Sequence, residues 1–372
     1  MRLEKLSLYN FKNYPEAQLE FKGRIQCFLG MNGSGKSNLL DAINYLSFTK
    51  SAINPSDPQN IRSGEQQFFI KGEFVKGNHH HQVVCSYQTG KKIIREDEQE
   101  CTRFSEHIGK YPVVLVAPND IELIWDGSEM RRKFFDSLLS QIDRNYLDNL
   151  VVYAQYLKQR NSLLRIFSER GKIDADMLET YDDKLVPAGE YIYRKRKEFV
   201  TQFLPLFENH YRFLAGETQE SVRVVYRSQL DAGDFAGELK KNLQRDIFLQ
   251  RTSCGVHRDD FLFTINEGEL RRFGSQGQQK SFLIGLKLTE FQLISEGLGI
   301  KPLLLLDDIF DKLDDARIQK LMLLVANGTF GQLFITDART GRSKGILEET
   351  GVKAQLWDVS SGVATIHASS AG

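Results

Sequence analysis

The sequence predicts an α/β protein of two lobes, one rich in strands and one mostly helical. Short apolar or alternating segments dominate residues 1–115, which is typical of strands. From 116 to about 215 the apolar residues recur every three to four positions, which predicts helices. Strand-like segments then return, so the helical lobe 116–215 is inserted into a discontinuous lobe formed by 1–115 and 216–372. A chain of 372 residues is long enough for two such lobes.

The strand-rich lobe is predicted to begin as an antiparallel meander with turns at Gly77 and Gly90. One short apolar strand, 24–29, ends directly at a glycine, and another, 111–116, closes this part of the chain. After the insertion, strands are predicted at 221–226, 260–265, 302–306 and 331–336.

The helical lobe carries two apolar stripes, 147–164 and 177–203, separated by a break at 169–172. Two successive helices with such stripes predict a short antiparallel arm. Pro187 and Pro205 are predicted to interrupt the second helix, because proline removes a backbone donor and clashes with the preceding turn.

The composition excludes several classes of protein. Lys+Arg and Asp+Glu number 49 each, so the net charge is zero and any nucleic-acid contact must come from a local basic patch. The four cysteines are scattered without C-x-x-C pairs, which indicates a reducing compartment and no zinc site. No stretch approaches the roughly 20 apolar residues of a membrane span, and no signal peptide is visible, so a cytoplasmic protein is expected.

A glycine-rich loop lies between the strand 24–29 and a predicted helix. It fits the pattern G-x-x-x-x-G-K-[ST], in which backbone N–H groups surround phosphates, the lysine reaches the β- and γ-phosphates, and the hydroxyl binds Mg²⁺. The alternative is a chance glycine-rich turn, which the order of strand, loop and helix disfavours. We predict a catalytic role for Lys36, metal binding by Ser37, and ATP binding by Gly30, Met31, Asn32, Gly33, Ser34, Gly35, Lys36, Ser37 and Asn38.

Two adjacent carboxylates follow the apolar strand 302–306. Burying them at the end of a strand is costly without a cation, so we predict that Asp307 is the second Mg²⁺ ligand and that Asp308 polarises the attacking water. The alternative is a plain core strand followed by a helix N-cap. About 270 residues separate Ser37 from Asp307, far more than in a compact GTPase or kinase, which implies a large insertion.

A third motif opens the helix that precedes this strand. A serine and small residues at a helix N-terminus suit an anion, and the segment resembles the S-G-G-Q signature of ABC ATPases. In that class the signature binds the γ-phosphate of ATP held by the other protomer, which implies an ATP-dependent homodimer. The residues concerned are Ser275, with a catalytic role, Gln276, Gly277 and Gln278. Lys312-Leu313-Asp314 resembles the D-loop, and Thr336 replaces a γ-phosphate-sensing histidine, which leaves the sensor open.

Five further segments occur in a specific order: the opening Asn10-Phe11-Lys12-Asn13-Tyr14, Arg131-Arg132-Lys133-Phe134-Phe135-Asp136, Gly255-Val256-His257-Arg258-Asp259-Asp260, Ser275-Gln276-Gly277-Gln278-Gln279 and Leu304-Leu305-Leu306-Asp307-Asp308. In these segments and their order, the chain resembles the RecF family over about residues 3 to 340. This resemblance implies an ABC/SMC/Rad50-like P-loop ATPase head with an inserted helical lobe. Lys12 replaces the family's arginine, and because lysine cannot make a planar bidentate contact, weaker ATP affinity is implied.

The resemblance also implies a function in recombinational DNA repair. Such a protein binds ATP and Mg²⁺, dimerises, holds duplex DNA beside single-stranded gaps and helps to load RecA with RecR and RecO, and slow DNA-stimulated hydrolysis releases it. The candidate DNA-binding patches are 131–133 and 194–197, with a solvated helix face as the alternative. Residues 257–260 either order the signature loop or form a structural ion-pair cluster. A transporter ATPase subunit and a chromosome-structural ATPase of the SMC or Rad50 kind are the alternative functions.

Overall fold

The computed structural model describes residues 1–171, 174–216, 219–309, 313–339, 345–346, 351 and 353–367. Within these ranges the chain forms two compact units. Unit 1 contains Met1–Asp120, Phe213–Gly216 and Leu283–Gly372, and unit 2 contains Ile121–Arg212 and Glu217–Phe282.

The described secondary structure follows the predicted order of a strand-rich segment, a helical insertion and returning strands, and it adds two strands within 355–366 that were not predicted. The strands are β1 (Arg2–Phe11), β2 (Tyr14–Glu20), β3 (Ile25–Leu29), β4 (Gln67–Lys76), β5 (His79–Gln88), β6 (Lys91–Glu96), β7 (Gln99–Glu100), β8 (Val113–Val116), β9 (Val222–Arg227), β10 (Asp260–Ile265), β11 (Gly268–Glu269), β12 (Leu303–Leu306), β13 (Leu333–Asp337), β14 (Gln355–Ser360) and β15 (Val363–Ile366). The helices are α1 (Lys36–Phe48), α2 (Glu122–Trp125), α3 (Ser128–Ile142), α4 (Arg144–Arg170), α5 (Ala175–Ala215), α6 (Phe235–Lys241), α7 (Leu243–Leu249), α8 (Leu270–Phe273), α9 (Gln276–Leu298) and α10 (Asp315–Ala326).

Unit 1 is built on two six-stranded sheets. The first has the order β2-β1-β4-β5-β6-β7 and is antiparallel throughout, as the meander predicts. In β4, buried residues alternate with partly exposed ones, which is the pattern of a sheet with one face on the core. The second sheet has the order β15-β14-β3-β13-β12-β8, and all of its pairings are parallel except β14 with β15.

The central strands of the second sheet bring the nucleotide motifs together. Every residue of β3, β12 and β13 is buried, as expected for parallel strands covered on both faces. Because parallel strands end at the same edge of a sheet, the loop after β3 and the acidic pair after β12 lie at one edge. Helix α1 and both sheets of unit 1 share a single hydrophobic core.

Unit 2 combines helices with the three-stranded antiparallel sheet β11-β10-β9. Helices α4 and α5 run antiparallel, since Arg160 contacts Asp182 and, nearer the start of α4, Tyr146 contacts Arg196. Leu163, Leu164 and Phe167 of α4 pack with Leu178 of α5. The short antiparallel arm is therefore present.

Two features differ from the prediction. Residues 219–282 cluster with the helical unit rather than with the ATPase lobe, because β9 and β10 pair with each other and β10 packs on α3 instead of extending either sheet of unit 1. Pro187 and Pro205 do not interrupt α5, which is one helix of 41 residues. Its buried stripe, with Leu185, Ile192 and Phe203 fully buried, outweighs the local cost of the prolines. Among the described residues, no helix combines the length and apolarity needed to cross a membrane.

Candidate nucleotide-binding site

The glycine-rich loop connects β3 to α1 in the predicted arrangement. Gly33 and Gly35 have φ of 79° and 114°, and residues other than glycine rarely adopt such positive values. Gly30 is needed for a different reason, since a Cβ there would lie 2.2 Å from the backbone oxygen of Val359 in β14. The hydroxyl of Ser34 is buried and has no hydrogen-bond partner among the described residues. The loop therefore holds an unsatisfied polar group at the position where phosphates are predicted.

The side chain of Lys36 is hydrogen-bonded to the first two residues of this loop. Its Nζ donates to the backbone oxygens of Gly30 at 2.8 Å and Met31 at 3.1 Å, and the residue is buried. Within the described part of the chain, the hydrogen bonds of this buried ammonium go to neutral carbonyls, which do not compensate its positive charge. It is therefore well suited to receive an anion.

The loop and the acidic pair meet at Asp307. Ser37 Oγ donates to Asp307 Oδ1 at 2.8 Å, and Thr336 Oγ1 donates to the same oxygen at 2.7 Å. These contacts join α1, β13 and the end of β12 within unit 1. The two residues predicted to bind Mg²⁺ are thus adjacent, and both offer oxygen ligands, which Mg²⁺ prefers.

Thr336 also supports the neighbouring acid. The backbone N–H of Asp308 donates to Thr336 Oγ1 at 2.9 Å, and Asp308 has a φ of 45°. Positive φ is uncommon outside glycine, although aspartate tolerates it better than most residues. Thr336 lies inside β13, where a strand was predicted at 331–336, and it is fully buried. It holds both aspartates in place.

Two residues where β1 turns into β2 are hydrogen-bonded to the phosphate loop. Asn13 Nδ2 donates to the backbone oxygen of Ser34 at 3.0 Å, and its Oδ1 accepts from Asn38 Nδ2 at 2.7 Å. The hydroxyl of Tyr14 donates to the backbone oxygen of Gly35 at 3.0 Å. Sequence analysis quoted this segment only as a family resemblance and missed its contact with the loop.

Lys12, which replaces the family's arginine, is bound to a carboxylate of α1. Its Nζ lies 2.5 Å from Asp41 Oδ2, and both side chains are buried. Ser51 Oγ donates to the same oxygen at 2.6 Å. Asp41 of α1 is therefore bound both by Lys12, which follows β1, and by Ser51, which follows α1.

The signature segment lies in unit 2, at the start of α9. Ser275 N–H donates to Gln278 Oε1 at 2.7 Å, Gln278 N–H donates to Ser275 Oγ at 3.3 Å, and Gln278 Nε2 donates to Glu220 Oε1 at 2.7 Å. This reciprocal pair is a capping box. Ser275 and Gln276 are exposed, whereas Gly277 and Gln278 are partly buried. Leu313 is buried and Asp314 caps α10, whereas Lys312 of the proposed D-loop lies outside the described residues.

One arginine of each candidate DNA-binding patch, 131–133 and 194–197, is buried in an ion pair, which removes it from the surface that could contact DNA. Arg131 is buried and forms two hydrogen bonds with the carboxylate of Asp260. Arg196 is also buried and binds the carboxylates of Asp136 and Asp259. Burial raises the pKa of Asp259 and is opposed by the charge of Arg196. Within the segment 257–260, Asp259 and Asp260 therefore form ion pairs with buried arginines, whereas His257 is hydrogen-bonded to Tyr153 and to the backbone oxygen of Thr252.

The remaining cations of these patches are more exposed, but most are paired. Lys133 binds Glu129 at 2.7 Å and Lys195 binds Asp143 at 3.2 Å. Lys197 binds Asp231 at 2.9 Å. Arg194 is exposed and its guanidinium lies 5.5 Å from the ring centre of Tyr191.

Comparison with known proteins agrees with this architecture. The family RecF/RecN/SMC N terminal domain matches residues 2–360. A relative from Flavobacterium johnsoniae, the DNA replication and repair protein RecF, is 45% identical over 351 residues, which cover 94% of this chain and 98% of the relative.

Two solved structures share the fold. The recombination mediator protein RecF of the RecFOR pathway, solved with ATP, superposes with a TM-score of 0.87 at 30% identity, covering 98% of this chain and 97% of that one. A Pyrococcus furiosus Smc head domain matches with a TM-score of 0.54 at 17% identity, covering 98% and 95%, which shows a common fold only.

Proposed function

Because the chain belongs to the RecF family of DNA replication and repair proteins, we propose that it is an ATP-dependent DNA-binding protein of recombinational repair. It binds ATP and Mg²⁺ and forms a homodimer that holds duplex DNA at single-strand gaps. Together with RecR and RecO it helps to load RecA. A weak, DNA-stimulated ATPase activity acts as the switch that releases the protein from DNA.

The contact that carries the nucleotide part of this proposal is the 2.8 Å hydrogen bond between Ser37 and Asp307. It unites the phosphate loop with the acid after β12, although about 270 positions separate them in the sequence. Lys36 leaves the carbonyls of Gly30 and Met31 to meet the phosphates of ATP. The exposed loop tip 31–33 and the buried hydroxyl of Ser34 supply further donors.

The oxygen atoms of Ser37 and Asp307 are suitable ligands for Mg²⁺. Ser37 and Asp307 would hold the ion through a hydroxyl and a carboxylate, and a bound ion would supply neutralisation of charge on the phosphates. Asp308 orients the water that attacks the γ-phosphate. Thr336 keeps Asp308 in position through the backbone hydrogen bond of 2.9 Å.

The signature segment provides the dimer contact. Ser275 and Gln276 are exposed at the start of a helix of 23 residues, where the helix dipole favours an anion. In the free protein the side chain of Gln278 satisfies the backbone N–H of Ser275. In the ATP-bound dimer, residues 275–278 contact the nucleotide held by the partner subunit, and the hydroxyl of Ser275 donates to its γ-phosphate.

The dimer is tested by light scattering with and without ATP. Ser275→Arg places a bulky cation at the contact, so this variant is expected to bind ATP but remain monomeric. Asp308→Asn keeps the contact and slows hydrolysis, so it should accumulate as an ATP-bound dimer. A normal ATP-dependent dimer of Ser275→Arg, or a persistently monomeric Asp308→Asn, would refute the arrangement.

The DNA part is tested by ATP hydrolysis on gapped, duplex and single-stranded DNA at equal nucleotide concentration. Gapped DNA should stimulate hydrolysis most. Binding to it should require ATP and weaken steeply with salt, because phosphate contacts release counterions. Equal hydrolysis with and without every DNA would contradict the repair function while leaving the nucleotide site intact.

A further inference from the structure

Three potential metal ligands meet at the end of the antiparallel sheet in unit 1. A carboxylate oxygen of Glu96, the sulfur of Cys101 and a ring nitrogen of His107 all lie within 4.8 Å of one another. Glu96 ends β6, Cys101 follows β7, and His107 follows the turn Phe104–Glu106. His107 is fully buried, whereas the other two residues are partly exposed. The spacing of the cysteines gave no sign of this cluster, because only one of its members is a cysteine.

The hydrogen bonding of His107 leaves one nitrogen available to a metal. Its Nε2 lies 2.6 Å from the backbone oxygen of Leu46, which can only accept, so Nε2 carries the proton. Its Nδ1 is then a lone-pair acceptor, and it is buried without a hydrogen-bond partner among the described residues. Buried acceptors are seldom left unsatisfied. Histidines that bind metals commonly donate their other N–H to a backbone carbonyl, as His107 does.

We propose that Glu96, Cys101 and His107 bind a Zn²⁺ ion. Nitrogen, thiolate and carboxylate ligands together suit Zn²⁺, whereas Mg²⁺ and Ca²⁺ prefer oxygen alone. Tetrahedral zinc with ordinary bond lengths separates its ligand atoms by about 3.3–3.8 Å, so closing around the ion requires shifts of about 1 Å. Three protein ligands leave the fourth position for water.

The groups around Glu96 are compatible with an incoming cation. The hydroxyl of Tyr111 donates to Glu96 Oε1 at 2.8 Å and remains as an orienting contact. Lys110 Nζ lies 2.5 Å from Glu96 Oε2, and its exposed side chain withdraws into solvent when the ion binds. Cys101 loses its thiol proton to solvent as the sulfur–zinc bond forms. The thiolate and the carboxylate then balance the charge of the ion.

A bound ion would fasten the segment 101–107 to α1, because His107 is hydrogen-bonded to Leu46 in that helix. Ligands that bind only the folded state stabilise it, so Zn²⁺ is expected to raise the melting temperature. None of the three ligands belongs to the nucleotide site, so metal binding can be measured in nucleotide-free protein.

The test is a titration of chelator-treated, full-length protein with Co²⁺ and then Zn²⁺. One equivalent of Co²⁺ should produce an intense thiolate charge-transfer absorption, which one equivalent of Zn²⁺ abolishes. Cys101→Ser should lose this absorption and bind Zn²⁺ at least about 100-fold more weakly, exceeding the typical effect of losing an outer hydrogen bond. Cys254→Ser is the matched control, since Cys254 is a buried free thiol in unit 2, and it should keep the absorption.

Glu96→Gln provides a second variant that retains an acceptor for Tyr111. It should keep the charge-transfer absorption at saturating Co²⁺ but bind Zn²⁺ at least about 10-fold more weakly. The proposal is overturned if wild-type protein shows no such absorption or if the absorption survives in Cys101→Ser. Wild-type Zn²⁺ affinity in Glu96→Gln would equally overturn it.

Discussion

The substitution Thr336→Val tests whether the hydroxyl of Thr336 holds Asp307 and Asp308 in the nucleotide site. Valine keeps the shape of threonine and suits a strand, but it removes the hydroxyl that donates to Asp307 at 2.7 Å and accepts from Asp308 N–H at 2.9 Å. The side chain is fully buried, so water cannot replace the hydroxyl. The carboxylate of Asp307 keeps its bond from Ser37, while the bond from Asp308 N–H to Thr336 is lost.

The expected loss of stability follows from these contacts. A hydrogen bond to a charged group contributes about 1.5–3 kcal/mol, and an unsatisfied buried donor costs about 1–3 kcal/mol. The extra buried methyl group of valine offsets about 0.8 kcal/mol of this. We therefore expect unit 1 to lose about 2–5 kcal/mol of unfolding free energy. Without the hydroxyl of Thr336, Asp307 and Asp308 are held less firmly, so the rate of ATP hydrolysis should also fall by about 10–100-fold.

Urea unfolding and steady-state ATP hydrolysis measure the two effects separately. Thr336→Ser is the control, because it retains the hydroxyl and removes only a methyl group. It should lie close to the wild type in turnover and well above Thr336→Val. Equal turnover and equal unfolding midpoints for the two variants would refute the role assigned to the hydroxyl.

Three further predictions, with four substitutions, test other parts of the structure. Lys36→Arg should bind ATP but lose turnover, because the charge survives while the geometry changes; equilibrium binding and phosphate release measure this, and full hydrolysis would count against the assignment. Gly30→Ala should lower the unfolding free energy by about 1–3 kcal/mol, because its Cβ would lie 2.2 Å from the oxygen of Val359; an unchanged urea midpoint would contradict this. Arg196→Met should cost about 3–5 kcal/mol by leaving buried carboxylates unpaired, whereas the exposed Arg194→Met should change stability by less than about 0.5 kcal/mol; similar melting temperatures for both would show that the ion-pair cluster is not structural.

The phosphate loop was predictable from sequence because it depends on adjacent residues. A short apolar strand, glycines with free backbone geometry, and Lys36 and Ser37 at the start of a helix form one continuous segment. The apolar strand before Asp307 has the same local character, since a parallel strand buried on both faces is apolar throughout. β14 was not predicted, because its burial pattern is mixed and its parallel partner β3 lies more than 300 positions away.

The sequence by itself determined the strand-rich and helical segments through their periodicity and the nucleotide motifs through their spacing, since both are local properties. The family followed from the resemblance of several such segments. Only the tertiary structure decided which distant side chains meet. It buried Arg196 against Asp259, 63 positions away, and placed Thr336 beside Asp307. It also brought a single cysteine, Cys101, next to His107. Local patterns cannot distinguish a side chain that faces water from one that faces a partner across the core, because that difference depends on how the whole chain packs.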